Sequence, residues 1–229
     1  MNEPKHHLPT AKSREGGIYR FSMPEFLISL ALLLVAAPFL EAFSIGKMIE
    51  AILMTVVLLF GVMAVGRKRR TLALAAGLAV PAAVSRWLYH LWPERIPPDL
   101  YLVLALLFMA FILSHLIRFI LASPRVNSEV LCAGLAMYLL LGMAWSFAYV
   151  LAGHVSPGAF ALPAGNQMQG FTSLYFSFIT LSTVGYGDIT PVSNVARMLA
   201  AAEAITGTLF VAVFIARLVA LYSTEARDE

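Results

Sequence analysis

Residues 183–188 read Thr-Val-Gly-Tyr-Gly-Asp, and the rest of the chain falls into place around them. The stretch follows an apolar, aromatic-rich segment, Phe171 to Leu181, and precedes a long hydrophobic run. Glycine tolerates positive φ, so glycines at alternate positions let neighbouring carbonyls face one way without a Cβ clash. A column of such oxygens, brought together from several chains, can replace the water shell of a bare monovalent cation. A Gly-rich turn between two membrane segments is the plainer reading of the same letters. The setting favours the first, because irregular backbone at membrane depth is tolerated only where protein or a water-filled cavity surrounds it.

Composition points to a membrane protein. Of the 229 residues, 60% are hydrophobic and only 13% are charged, and the mean hydropathy is +0.81. Several long apolar runs at that composition describe a polytopic α-helical protein, not a soluble domain. The formal charge of +3 matters less than where the charges fall. The single cysteine, Cys132, lies in an apolar run and excludes an intramolecular disulfide. No P-loop, metal-spaced Cys/His cluster or nucleophile–base motif occurs, so neither enzyme chemistry nor a cofactor is expected. The polar first 22 residues are followed by a run long enough to span, which does not read as a cleavable signal peptide.

Hydropathy predicts spans at about 24–43, 48–66, 71–91, 100–121, 129–151 and 194–222. The third is the least regular, since it carries Pro81 and Arg86. Between the last two lie a Gly/Pro/Asn/Gln-rich outer segment, 153–170, and a pore helix over 171–182 that is too short to cross. The division expected is a tail at 1–22, a four-helix membrane domain at 23–127, a pore domain at 128–224 and a tail at 225–229. With the amino terminus inside and six alternating spans, 12 of the 16 Lys and Arg residues fall on the inner side, among them the block Arg67-Lys68-Arg69-Arg70. That obeys the positive-inside rule, puts both termini in the cytoplasm, and makes the re-entrant segment enter from outside. The basic block reads as a topology anchor, compatible with anionic-lipid contact; nucleic-acid binding does not suit four charges flanked by spans.

On residues 183–188 the chain resembles the tetrameric potassium channels, over roughly 129–222. The resemblance implies an all-α membrane fold of six transmembrane helices plus a re-entrant pore helix and filter, four copies around one axis, and K+ as the permeant ion. It implies that the carbonyls of Thr183, Val184, Gly185 and Tyr186, with the Thr183 hydroxyl, coordinate K+, and that Gly187 and Asp188 close the outer mouth. It places Tyr175 where an aromatic residue of the pore helix braces the acid after the filter. Ile179 stands where some members carry a pore-helix glutamate, a departure that argues against gating through such an acid. Gly207 matches the family's hinge glycine, although close helix packing explains a glycine there equally well.

Other residues are singled out by their own chemistry. Thr208, Val211 and Ile215 share one helical face and would line a cavity below the filter. Glu203, an acid inside a span, is expected to face the protein interior; it either braces the filter from behind, pairs with a polar group of another helix, or is an uncharged structural acid. His154 in the outer segment could sense external pH, and a solvated surface histidine is the plainer reading. The fourth span has only His115 and Arg118 near its inner end, where a voltage sensor needs several basic residues at three-residue spacing. Weak or absent voltage dependence follows. Residues 223–229 leave no room for a nucleotide-binding regulatory domain, and the short polar tails suggest a compact prokaryotic membrane protein. A potassium-selective homotetrameric channel is the reading; a non-conducting regulatory subunit or a weakly selective cation channel are the alternatives. An uptake transporter would need four pore segments in one chain, and this sequence has one.

Overall fold

The computed structural model describes residues 23–40, 43, 45–65, 69–92, 95, 97–125 and 127–228. The tail at 1–22, Arg67, Lys68 and Glu229 lie outside them, so the expectations placed there are not addressed by the structure. Seven helices and one pair of two-residue strands are formed by the described residues: α1 Met23–Leu40, α2 Gly46–Val65, α3 Arg69–Leu91, α4 Pro98–Ala122, α5 Ser128–Val155, β1 Phe160–Ala161, α6 Gly170–Leu181, β2 Thr190–Pro191 and α7 Asn194–Asp228. Six of the helices are long and apolar enough to cross a membrane, and α6 is the exception. Its 12 residues reach about 18 Å, well short of a bilayer's roughly 30 Å hydrocarbon core. This is an integral, multi-pass, all-α membrane protein.

Helix starts follow local chemistry. Pro98 opens α4, where a missing N–H costs nothing. Asn127 caps α5 by accepting from the Val130 amide at 2.9 Å, and Ser193 does the same for α7 through the Ala196 amide at 3.1 Å. Pro38 and Pro81 sit inside α1 and α3 without ending them. Two helix ends depart from the hydropathy boundaries. α5 continues to Val155, so Gly153 and His154 are helical and not part of the outer loop. α7 continues to Asp228, beyond the apolar run, because a helix need not stop where the lipid does.

The first four helices do not form a separate body. One buried core runs from Phe26 and Leu30 of α1, through Val57 and Leu58 of α2 and Phe108, Ile112 and Leu116 of α4, into Ala136, Leu140 and Met143 of α5. α4 packs along α5 of the same chain, across a connection of only residues 123–127. Where the start of α2, the end of α3 and the start of α4 meet, Arg86 donates to Glu50 at 2.9 Å and lies 4.9 Å over the Tyr101 ring. His154 of α5 is an exposed surface histidine that pairs with Asp99 of α4 at 2.8 Å.

A second, aromatic cluster joins α5, α6 and the segments that flank α6. Tyr149, Phe160 and Phe176 meet edge to face with centroids 4.8 to 5.6 Å apart, joined by Met168, Ile189 and Ala196. Such pairs are directional, each adding about 1 kcal/mol beyond area burial. β1 and β2 pair antiparallel, Phe160 opposite Pro191 and Ala161 opposite Thr190. The chain after residue 188 is thereby fastened to the loop after α5, with Val192 N–H donating to Ala159 O at 2.8 Å.

Candidate functional site: the 183–188 segment and its supports

Residues 182–188 leave the end of α6 as irregular, exposed backbone. Thr183, Gly185 and Gly187 have φ of 60°, 52° and 84°, and Val184 and Tyr186 between them do not have positive φ. Alternating left- and right-handed residues turn successive peptide planes, which is the pattern that lets consecutive carbonyls face the same side. Glycine adopts the left-handed conformation freely. Thr183 is the one non-glycine residue with positive φ among those described, at a cost of about 1–2 kcal/mol. Strain of this kind persists only where the surroundings enforce it.

The enforcement comes from the C-terminal carbonyls of α6. Ile179 O accepts from both Val184 N–H, at 2.9 Å, and Gly185 N–H, at 3.1 Å; Thr180 O accepts from Thr183 N–H at 2.9 Å. Ile179 thus anchors the segment through its backbone, while its apolar side chain is buried. The Tyr175 side chain on α6 lies close enough to Asp188 for the two to interact. Val184 and Tyr186 are 53% and 73% exposed in the single chain.

Behind α6 stands Glu203 of α7, completely buried. The Tyr149 hydroxyl of α5 donates to its Oε2, and the Ser177 hydroxyl of α6 is 2.5 Å from its Oε1. Ser177 also reaches the Gly142 carbonyl of α5 at 2.6 Å, and Ser146 and Ser173 meet between the same two helices at 2.9 Å. Gly207, one turn on, is buried against the end of α6, where a Cβ would lie 2.1 Å from Leu181 O. Gly142 and Gly134 of α5 are likewise filled, by the Phe178 and Phe214 rings. Thr208, Val211 and Ile215 are exposed along the single chain's α7. The Thr208 hydroxyl donates to the Ala204 carbonyl of its own helix at 2.9 Å.

Three functional candidates escape the sequence reading. Ser177 and Tyr149 become visible only as partners of Glu203, although Ser173 and Ser177, four apart on α6, are a polar stripe that hints at a buried face. Arg217 of α7 is the third: its Nη2 donates to Leu121 O and Ser123 O, each at 2.9 Å, at the end of α4. The cluster that would hold a resident metal, three or more His, Cys, Asp or Glu side chains, is not found among the described residues.

A bundle of six long apolar helices with a short seventh, and a bent backbone segment hung from its end, fits a channel-forming membrane protein. Residues 128–224 match the family model described as "Ion channel". Protein LctB of Geobacillus stearothermophilus is 37% identical over 103 residues, which are 43% of this chain and 76% of LctB. Two pore potassium channels b and c of Oryza sativa subsp. japonica are 35% and 36% identical over 83 and 63 residues, 36% and 28% of this chain. The chain spans only 21% and 14% of those two rice proteins. No solved structure matches. The chain belongs to the ion channel family to which potassium channels belong. It is a channel protein and not an enzyme.

Proposed function

We propose that the chain is one subunit of a homotetrameric, potassium-selective channel in which residues 183–187 form the ion-binding column. The observation that carries this reading is the alternation of left-handed residues at 183, 185 and 187 on a segment suspended from the Ile179 and Thr180 carbonyls. Carbonyls of Thr183, Val184, Gly185 and Tyr186, with the Thr183 hydroxyl, would take the place of water around K+. A single chain gives an ion only one side of that shell. It also leaves residues 182–188 uncovered, which is not tolerated for irregular backbone at membrane depth. Further copies around an axis answer both needs, and Thr208, Val211 and Ile215 would then face the cavity beneath.

Flow is passive, down the electrochemical gradient. The negative end of the α6 dipole, at its C-terminus beside the segment, favours a cation there. Both termini lie on the cytoplasmic side in this reading, with helices α1 to α4 sensing no voltage and residues 128–224 forming the pore. Arg69 and Arg70, exposed in the first turn of α3, are within reach of anionic headgroups at the inner surface. K+-driven flux into liposomes holding purified protein tests the proposal, with Na+ substitution and barium block. Flux that falls with Na+ and with barium supports it; equal Na+ and K+ flux would make the pore a weakly selective one.

A further inference from the structure

The space behind the filter segment holds an acid without a base. Glu203 is fully buried, and the electrostatic neighbours of its carboxyl are Ser177 and Tyr149, with no Lys or Arg among them. The titratable groups that face it are Tyr149 and Tyr138, both from α5. From α6 it meets only the Ser177 hydroxyl. An ionised carboxylate there would be a full charge at membrane depth, facing two phenols and a serine. Such a charge is costly unless paired.

Counting protons decides how the contacts are made. Ser177 has one hydroxyl proton and two close oxygens, Gly142 O at 2.6 Å and Glu203 Oε1 at 2.5 Å. The Gly142 carbonyl can only accept. The Ser177 proton therefore goes to Gly142, and the short approach to Oε1 is satisfied when the carboxyl itself donates to Ser177 Oγ. Tyr149 meanwhile donates to Oε2. The four groups then form one directed run, Tyr149 to Glu203 to Ser177 to Gly142, in which each proton has one acceptor.

We propose that Glu203 is held as a neutral carboxylic acid and that, through this run, it fixes the pore helix α6 between α5 and α7, making it a positioning residue for ion selectivity. It touches no permeant ion. It acts through Ser177, which lies half a turn before Ile179, the residue whose carbonyl receives the Val184 and Gly185 amides. Loosening α6 at Ser177 frees the segment's anchor to shift, and a carbonyl column that can widen admits Na+. The selectivity role rests on the potassium-channel reading given above; the protonation state does not.

The full-length protein tests the two parts separately. Infrared difference spectra of wild type against Glu203→Gln need no flux: loss of the carbonyl stretch of a protonated carboxylic acid is expected, and loss of carboxylate bands instead overturns the neutral acid. In liposomes, Glu203→Gln keeps one donor and one acceptor, so its K+/Na+ flux ratio should stay within about twofold of wild type, while Glu203→Ala should lose about tenfold. Glutamine as poor as alanine would show that the charge is needed, and alanine equal to wild type would show no role. Should Glu203→Ala fail to assemble, Ser177→Ala breaks the run with the acid in place. A fall in its flux ratio with the assembly intact on size exclusion is expected, and an unchanged ratio refutes the positioning role. Absence of K+ flux in the wild type would refute the channel reading and leave the infrared result standing.

Discussion

Gly207 and Leu181 approach so closely that a single added carbon has no room: a Cβ on Gly207 would lie 2.1 Å from the Leu181 carbonyl oxygen. That oxygen ends α6, one residue before the filter segment begins, so α7 rests directly on the platform from which the segment hangs. The obstacle is backbone and cannot swing aside. Packing therefore accounts for the glycine, whether or not α7 also bends there. Gly207→Ala should gain about 1 kcal/mol of helix propensity and lose about 1–3 kcal/mol to overpacking. The expected net result is a lower melting midpoint and a reduced K+/Na+ flux ratio, because the strain is relieved by moving α6. A variant as stable and as selective as wild type would show that the two helices have room to part.

The Tyr175 and Asp188 side chains interact, and a hydrogen bond between them is expected to hold the filter segment in the conducting channel. Tyr175→Phe keeps the ring beside Phe171 and removes only the hydroxyl. Since Asp188 is exposed and can turn to water, the change should leave assembly intact and let the segment relax. The expected reading is K+ current that declines faster during maintained recording, with unaltered initial selectivity. Current as sustained as in wild type would deny the bond a role in holding the conducting state.

Much of this architecture is legible in local sequence, and the rest is not local. Six apolar runs become six helices because backbone groups in lipid must be satisfied within each segment, so hydropathy alone finds even α3 with its Pro81 and Arg86. Ends are less legible: Gly153 reads as the start of a loop, yet it stays helical and carries His154 to Asp99. Glu203 stands out in a span as an acid that needs a reason. Its partner Tyr149 lies 54 residues away, and nothing in either neighbourhood announces the other. The Tyr175–Asp188 contact came from resemblance and not from any pattern in the residues. The shared core of α1, α2, α4 and α5 was equally hidden, because an apolar helix surface looks the same whether it will meet lipid or another helix.

Arg217 ties the inner helix to the first four helices. Its guanidinium donates to the Leu121 and Ser123 carbonyls, which would otherwise end α4 unsatisfied, at the negative pole of that helix. Arg217→Gln should cost about 1–2 kcal/mol of stability, since hydrogen bonds from a charged donor are among the stronger ones and this side chain is half-buried. The site is at the opposite end of α7 from Glu203 and Gly207, so the K+/Na+ flux ratio should not change. Open probability should change several-fold, because α7 and α4 no longer move together. Unchanged gating in single-channel records would mean that the contact is a cap and nothing more.

The proposed lack of voltage sensing can be tested against the charge content of α4. Moving one elementary charge through the membrane field is worth about 2.3 kcal/mol per 100 mV, and steep gating needs about 3–4 such charges in each subunit. On α4 the positions from Tyr101 to Ser114 carry no Lys or Arg. His115 is engaged with the Phe111 carbonyl at 2.9 Å, and Arg118 is exposed near the inner end. Arg86 on α3 is tied to Glu50 and to the Tyr101 ring, so its movement would carry a compensating negative charge or break both contacts. The conductance of reconstituted channels should therefore vary with voltage by less than the equivalent of about one charge per subunit, and Arg118→Gln should leave that slope unaltered. A slope equivalent to several charges would overturn this reading of α4 and require charges elsewhere in the chain to move.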